Sequence, residues 1–284
     1  MRSESAVSQD ELRALLRRRF ADRLAADWRF CRVSGLSGAN WRARNGDGVT
    51  FLLRPTTALR RQLGIDRRYE CQALRLAAAA ALAPGCHGVL DGWLFADWLA
   101  GQPLATGGTD ITRLASLLVG VHRLPPRLPL RSLRCYCARY WQRLAPARRT
   151  FQAQRIHRRW QRRREPRPLK LALLHMDVHD GNLLETTQGL RLIDWEYAAS
   201  GDIALDLAAL SRNYGLERAG RHALAVDYCR HGGYADPARL ARQLERWLGW
   251  VDYMAWLWFE LRWQQSQQAS YRQQADALLT HLSQ

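Results

Sequence analysis

The pattern of apolar and polar positions divides this chain into an early stretch of short strands and a later stretch of helices. Ser8, with Glu11 three positions on, forms a capping-box signature at the head of a helix expected over Gln9 to Leu24. Arg29 to Val33, Asn40 to Arg44 and Val49 to Arg54 are short runs rich in β-branched or aromatic residues. The turns between them carry Gly35, Gly38 and the cluster Asn45-Gly46-Asp47-Gly48, which predicts an antiparallel sheet. Asp66 to Leu82 has helical composition, and Gly92 to Asp97 reads as another strand entering the turn-like Leu99-Ala100-Gly101-Gln102-Pro103. From Thr109 onward the pattern is mostly helical, interrupted once between Leu173 and Ala198. Composition shifts near Gly101, so a smaller α+β lobe is expected over residues 1–98 and a larger, mainly helical lobe over 99–284, without internal repeats or a long linker.

Composition narrows the class. A hydrophobic content of 47% with 12 Trp among 284 residues excludes a disordered chain and supplies a sizeable core. The longest bland run, Leu76 to Ala83, stops at Pro84-Gly85, well short of the roughly 18 apolar residues of a membrane span. Glu4, Asp10 and Glu11 stand where a secretory signal would carry basic and then apolar residues, so a cytoplasmic protein is expected. The six cysteines form no C-x-x-C pair and read as free thiols. A net charge of +17 raises nucleic acid or an anionic membrane surface as a partner. Lys170 is the only lysine, however, and a uniform preference for Arg points to base composition rather than to a binding patch. The richest basic stretch, Arg148 to Lys170, reads as a helix ended before Pro166 with a solvated face, a site for phosphate or an acidic partner, or for nucleic acid, remaining the alternatives. Nothing indicates a membrane or an obligate protein partner.

Candidate chemistry concentrates in Leu173 to Ala198, LLHMDVHDGNLLETTQGLRLIDWEYA. Leu183 to Glu185 and Leu190 to Ile193 flank Thr186-Thr187-Gln188-Gly189 and should pair as a hairpin, which returns Asp194 beside Asn182. A carboxylate and an amide oxygen, with Asp177 on the preceding loop, suit Mg²⁺, a hard cation that completes its shell with water and phosphate oxygens. His175 and His179 are expected to hold this loop by hydrogen bonding, a metal role being the alternative. Asp202 and Asp206 are expected to support it or to cap the helix that follows. Upstream, the small residues of Ser34 to Asn40, Gly35, Ser37 and Gly38 among them, read alone as a plain hairpin turn, and with the downstream loop as a segment whose backbone N–H groups approach phosphates.

The spacing H-x-D-x-x-x-x-N followed by I-D-x-E resembles the catalytic loop of the protein-kinase-like small-molecule phosphotransferases, the aminoglycoside phosphotransferase/choline kinase family. The blocks REPRPLKLALLHMDVHDGNLL and GLRLIDWEYAASGDIALDLAAL, with SGLSGANW and WFELRW, look closer still to the bacterial thiamine kinases within it, and the resemblance extends over Val33 to Trp263. It implies a bilobal fold with ATP between a small β-rich lobe and a larger helical one. It also implies Asp177 as the catalytic base, with Asn182 and Asp194 holding Mg²⁺ against the phosphates. Such folds place a lysine on the third strand, but the first lobe has none. Arg54 occupies the analogous position with Glu70 as its expected partner, and Asp97-Trp98-Leu99 would form the adenine hinge.

The substrate side is read from Trp247 to Trp263. Projected on a helix, one face gathers Trp247, Val251, Met254, Trp258 and Leu261 as core, and the other collects Asp252, Trp256, Glu260 and Trp263. Aromatic faces beside carboxylates suit an organic cation, and Trp195, Glu196 and Tyr197 just past Asp194 would add to them. Ordinary half-buried packing remains the alternative for all of these. Thiamine, a thiazolium cation bearing a primary alcohol, fits such a surface. Choline, ethanolamine or an aminoglycoside is the alternative acceptor, and a non-catalytic nucleic-acid-binding protein is the alternative from a different class.

Overall fold

A computed structural model describes residues 7–21, 27–33, 40–104 and 110–284. The first helix, α1 (Gln9–Phe20), starts at Ser8, whose hydroxyl accepts from the Glu11 N–H while the Glu11 carboxylate accepts from the Ser8 N–H. Strands β1 (Arg29–Arg32), β2 (Trp41–Arg44) and β3 (Thr50–Pro55) follow, then a short helix α2 (Ala58–Gln62) and α3 (Arg67–Ala79), capped by Asp66. β4 (Cys86–Leu90) and β5 (Trp93–Asp97) complete an antiparallel sheet in the order β1-β2-β3-β5-β4. Neither α2 nor β4 was expected from sequence: α2 is only 5 residues long, and the run of β4 contains Gly88 and is bulged against β5.

Side chains alternate across the sheet, so Phe95 points to one face and Leu94 and Ala96 to the other. Leu12, Leu15 and Leu16 of α1 join Phe95, Phe51 and Leu53 on the first face. Leu74 and Ala77 of α3 join Leu94 and Ala96 on the second, in a core continuous with the helices beyond. These comprise α4 (Ile111–His122), α5 (Leu133–Arg143), α6 (Phe151–Arg162), α7 (Ile203–Asn213), α8 (Arg218–Arg230), α9 (Pro237–Ser266) and α10 (Ala269–Ser283). Between α6 and α7 lie four strands, β7 (Leu171–Leu174), β8 (Leu183–Thr186), β9 (Gly189–Leu192) and β10 (Ala199–Asp202). β8 and β9 form the expected hairpin with Leu183 opposite Leu192, and the two-residue β6 (Gln102–Pro103) adds to β8. β7 pairs with β10, which encloses the whole loop and hairpin between two adjacent strands.

The basic stretch forms α6, which ends at Arg162. Two arginines of the stretch are engaged by distant parts of the chain: Arg148 pairs with Glu260, and Arg159 bonds the Leu282 carbonyl. The cysteines are free thiols. Among the described residues no helix is long and apolar enough to cross a membrane.

Candidate active site

A cleft of about 820 Å³ runs between the five-stranded sheet and the helices. One end is walled by Leu52, Leu94, Ala96, Asp97, Trp98 and Leu99, and the middle by Arg54, Arg60, Glu70, Asp177, Asn182 and Asp194. The other end is walled by Tyr136, Tyr197, Met254, Trp258, Phe259 and Tyr271.

The loop in the middle is held from below. The fully buried Asp206 accepts from the His175 N–H at 2.9 Å and the Met176 N–H at 2.7 Å, and its second contact is His122 Nε2 at 3.1 Å. Burial, the largest single influence, would raise the Asp206 carboxyl, but the bond to His122 together with the His175 N–H and the electrostatic pull of both imidazoles holds the group below its ordinary value. His175 is buried, which lowers its pKa and keeps it neutral. Its Nε2 donates to the Ile193 carbonyl at 3.0 Å, while Nδ1 accepts from the Asp177 N–H at 3.3 Å. Met176 and Asp194 both sit in the left-handed region, at φ 68° and 62°, a conformation that non-glycine residues hold only under constraint.

Asn182 donates its amide to the Asp177 carbonyl at 2.9 Å and to its carboxylate at 3.2 Å. The Asn182 carbonyl accepts from the Ile193 N–H, so the hairpin register delivers Asp194 next to Asn182. His179 Nδ1 accepts from the Gly181 N–H, and its Nε2 lies 3.8 Å from Asp177, whose carboxylate raises the His179 pKa. Asp202 caps α7 and also accepts from the Leu169 N–H, Gln243 and the Trp247 indole.

Opposite stands a cluster of three arginines and three carboxylates. Arg54 pairs with Glu70 at 3.2 Å, with Asp194, and with Glu196 at 2.7 Å. Arg60 pairs with Glu196, and Arg67 with both Glu70 and Glu196. Burial would raise the Asp194 carboxyl, yet Arg54, with Arg60 and Arg67 behind it, holds it below its ordinary value. Burial together with its arginine neighbours lowers Arg60 to about 10. Sequence reading anticipated Arg54 with Glu70 but missed Arg60 and Arg67: both meet Glu196 more than 100 positions away, although the i,i+3 spacing of Arg67 and Glu70 on α3 was a local signal for that second pair.

Asp97 and Trp98 reach the cleft wall. The Asp97 carboxylate bonds His87 at 2.6 Å, the Trp98 N–H bonds the Thr50 carbonyl, and the Arg42 guanidinium covers the indole. Gly35, Ser37 and Gly38 lie outside the described residues.

The aromatic surface requires correction. Trp195 is fully buried, donating to the Leu192 carbonyl and packing its ring against His175, so it braces the loop instead of meeting a substrate. Trp256 is fully buried against Trp141 and Tyr253, and Glu260 is held in a two-pronged pair with Arg148. Trp263 lies under Arg148 and Arg272, and none of Trp256, Glu260 and Trp263 lines the cleft. Glu196 does line it, but its carboxylate is committed to the arginines. The cleft-facing side of α9 is Val251, Met254, Ala255, Trp258, Phe259 and Arg262, which includes much of the face expected to be core. Periodicity misassigned it because α9 is packed around most of its circumference, and a buried wall of a cavity reads like a core. Tyr197 remains at the cleft, its hydroxyl accepting from the Trp258 indole at 2.9 Å. Guanidinium groups already lie over several of these rings: Arg131 on Tyr136 at 4.5 Å, Arg262 on Tyr271 at 5.2 Å and on Trp258 at 5.7 Å, and Arg212 on Phe259 at 5.6 Å.

Among the described residues no cluster of three or more His, Cys, Asp or Glu forms a metal cage. Mg²⁺ does not require one, since it keeps most of its shell as water and phosphate oxygen. The Asp194 carboxylate and the Asn182 amide oxygen, adjacent and both at the cleft, fit that donor set.

Residues 27–244 match the family model of the phosphotransferase enzyme family. The chain belongs to that family. Within it, the chain is 38% identical over 250 residues to a thiamine kinase of Shigella dysenteriae and to one of Escherichia coli O157:H7, covering 86% of this chain and 86% of each relative. A choline kinase of Streptococcus pneumoniae superposes with a TM-score of 0.73 at 17% identity, covering 95% of this chain and 99% of that one. The phosphotransferase is therefore built on the two-lobed, protein-kinase-like α+β fold.

Proposed function

We propose that this phosphotransferase transfers the terminal phosphoryl group of ATP to the primary alcohol of thiamine, giving thiamine monophosphate and ADP. The reading is carried by the convergence of Asp177, Asn182 and Asp194 at the middle of one cleft whose far end is lined with rings. The thiamine kinase relatives support the choice of acceptor.

Asp177 accepts the alcohol proton as the substrate oxygen bonds to phosphorus and the bond to the bridging oxygen of ADP breaks. Asn182 bonded to Asp177 fixes that carboxylate, and His175 and Asp206 fix the backbone beneath it. Asp194 and Asn182 would hold Mg²⁺, which neutralises charge on the phosphates when bound. Arg54 reaches the cleft from β3 to meet the phosphates where a lysine would otherwise stand.

Thiamine carries its cationic ring next to the hydroxyethyl arm and a neutral aminopyrimidine at the other end. That polarity matches the cleft. The thiazolium falls near Asp177 and Tyr197, and the aminopyrimidine lies among Trp258, Phe259 and Arg262, where guanidinium and aromatic planes stack on a neutral ring.

The test is ADP formation from Mg-ATP with thiamine, choline and kanamycin, with Asp177→Asn as control. Turnover is expected with thiamine, with a loss on the order of 100-fold or more in Asp177→Asn at unchanged melting temperature. Turnover with choline alone would replace the acceptor, and equal rates for both proteins would remove Asp177 from its role.

A further inference from the structure

The cluster of Arg54, Arg60, Arg67, Glu70, Asp194 and Glu196 balances three positive charges against three negative ones, but its arginines are not equivalent. Arg67 is 2% exposed, lies outside the cleft lining, and is occupied by Glu70, Glu196 and the Pro55 carbonyl. Arg54 faces the cleft but is engaged by three carboxylates. Arg60 also faces the cleft, and among the described contacts its guanidinium meets a single carboxylate oxygen, on Glu196. A guanidinium carries five N–H donors, so most of the recognition capacity of Arg60 is unspent.

Its position is fixed from the acceptor side. The Leu63 carbonyl, just past α2, accepts from the hydroxyls of Tyr136 and Tyr140, and the Gln62 carbonyl accepts from Arg143. α2 therefore hangs from α5, whose tyrosines wall the ring-lined end, while Arg54 projects from the sheet. Arg60 thus reaches Glu196 from α2 on the cleft wall, beside Arg54 and its partner Asp194, which puts it near a phosphoryl group lying between Asp194 and Asp177. A divalent cation on Asp194 would add positive charge to a balanced cluster, and the excess would face the cleft through its least committed member.

Resting on the phosphotransferase reading above, we infer that Arg60 is a catalytic residue of this chain that binds the terminal phosphate of ATP, exchanging its contact with Glu196 for one with the transferring group. The planar fork suits two phosphate oxygens at once, and its charge follows the negative charge that spreads over them during transfer. Arg54 then serves the inner phosphates, so the two arginines divide the nucleotide between them.

The experiment measures the affinities of ATP and ADP by calorimetry, with Mg²⁺ and in EDTA, for wild type and Arg60→Gln, alongside kcat and melting temperature. Arg60→Gln is expected to weaken ATP by about 10-fold and ADP by less than about 2-fold in both buffers, and to lower kcat by about 100-fold. Equal weakening of ATP and ADP, or weakening of neither, overturns the proposal. If Arg60→Gln does not fold, Arg60→Gln combined with Glu196→Gln removes one charge of each sign and is read by the same ATP-to-ADP ratio. Wild type binding neither nucleotide would overturn the phosphotransferase reading itself.

Discussion

Asp206 does not line the cleft, yet two successive backbone N–H groups ahead of Asp177 end on its carboxylate. Removing it orphans those groups and His122 together, so Asp206→Ala is expected to cost about 3–5 kcal/mol in denaturant unfolding. The pH dependence follows from the sign of its shift. The folded carboxyl titrates below its unfolded value of about 3.9, so its stabilisation is complete above that value. It is lost as pH falls from there through the folded pKa. Wild type is expected to lose stability across that acid window, and Asp206→Asn, with no proton to take up there, to show a flatter limb in thermal melts from pH 5 to pH 2. The role of the residue was only half legible: a carboxylate shortly after a catalytic loop suggests support, but neither spacing nor composition reveals the buried His122 and Tyr228 behind it.

At the scale of elements, the features set by local rules were readable and those set by packing were not. The capping box of α1 and the hairpin of β8 and β9 depend on residues a few positions apart, and the chain adopts them. The closeness of Asn182 and Asp194 was legible for the same reason, since a hairpin register is a local property. The orientation of α9 was not, because which side meets the cavity depends on α5, α7 and α10 around it. One contact of α9 sets how closely it approaches α6. At Gly249 a Cβ would come within 2.6 Å of the Trp160 ring, which is itself stacked on Tyr253 and edge-on to Trp250. The indole has little room to yield. Gly249→Val is expected to destabilise by about 1–3 kcal/mol, seen as a lower denaturant midpoint with kcat retained at 25 °C.

For the whole molecule, the ion cluster is a polar tie across the cleft, joining β3, α2 and α3 to the segment that follows β9. A nucleotide bound there would link the same two parts. Mg-ATP at about 100 times its dissociation constant is expected to stabilise by about 2.7 kcal/mol, raising the melting temperature by about 5 °C or more. Arg54→Ala should abolish most of that rise. A division of the chain near residue 100 was expected from a change in composition, whereas the arginines of the ion cluster come from separate elements and became visible only when folded. The guanidinium groups over the rings at the far end carry a consequence for inhibitor chemistry. A doubly quaternised blocker, with a fixed ammonium at each tip, would drive its second head into like charge, whereas a compound with one cationic tip and a flat, uncharged or acidic tail would find both regions receptive.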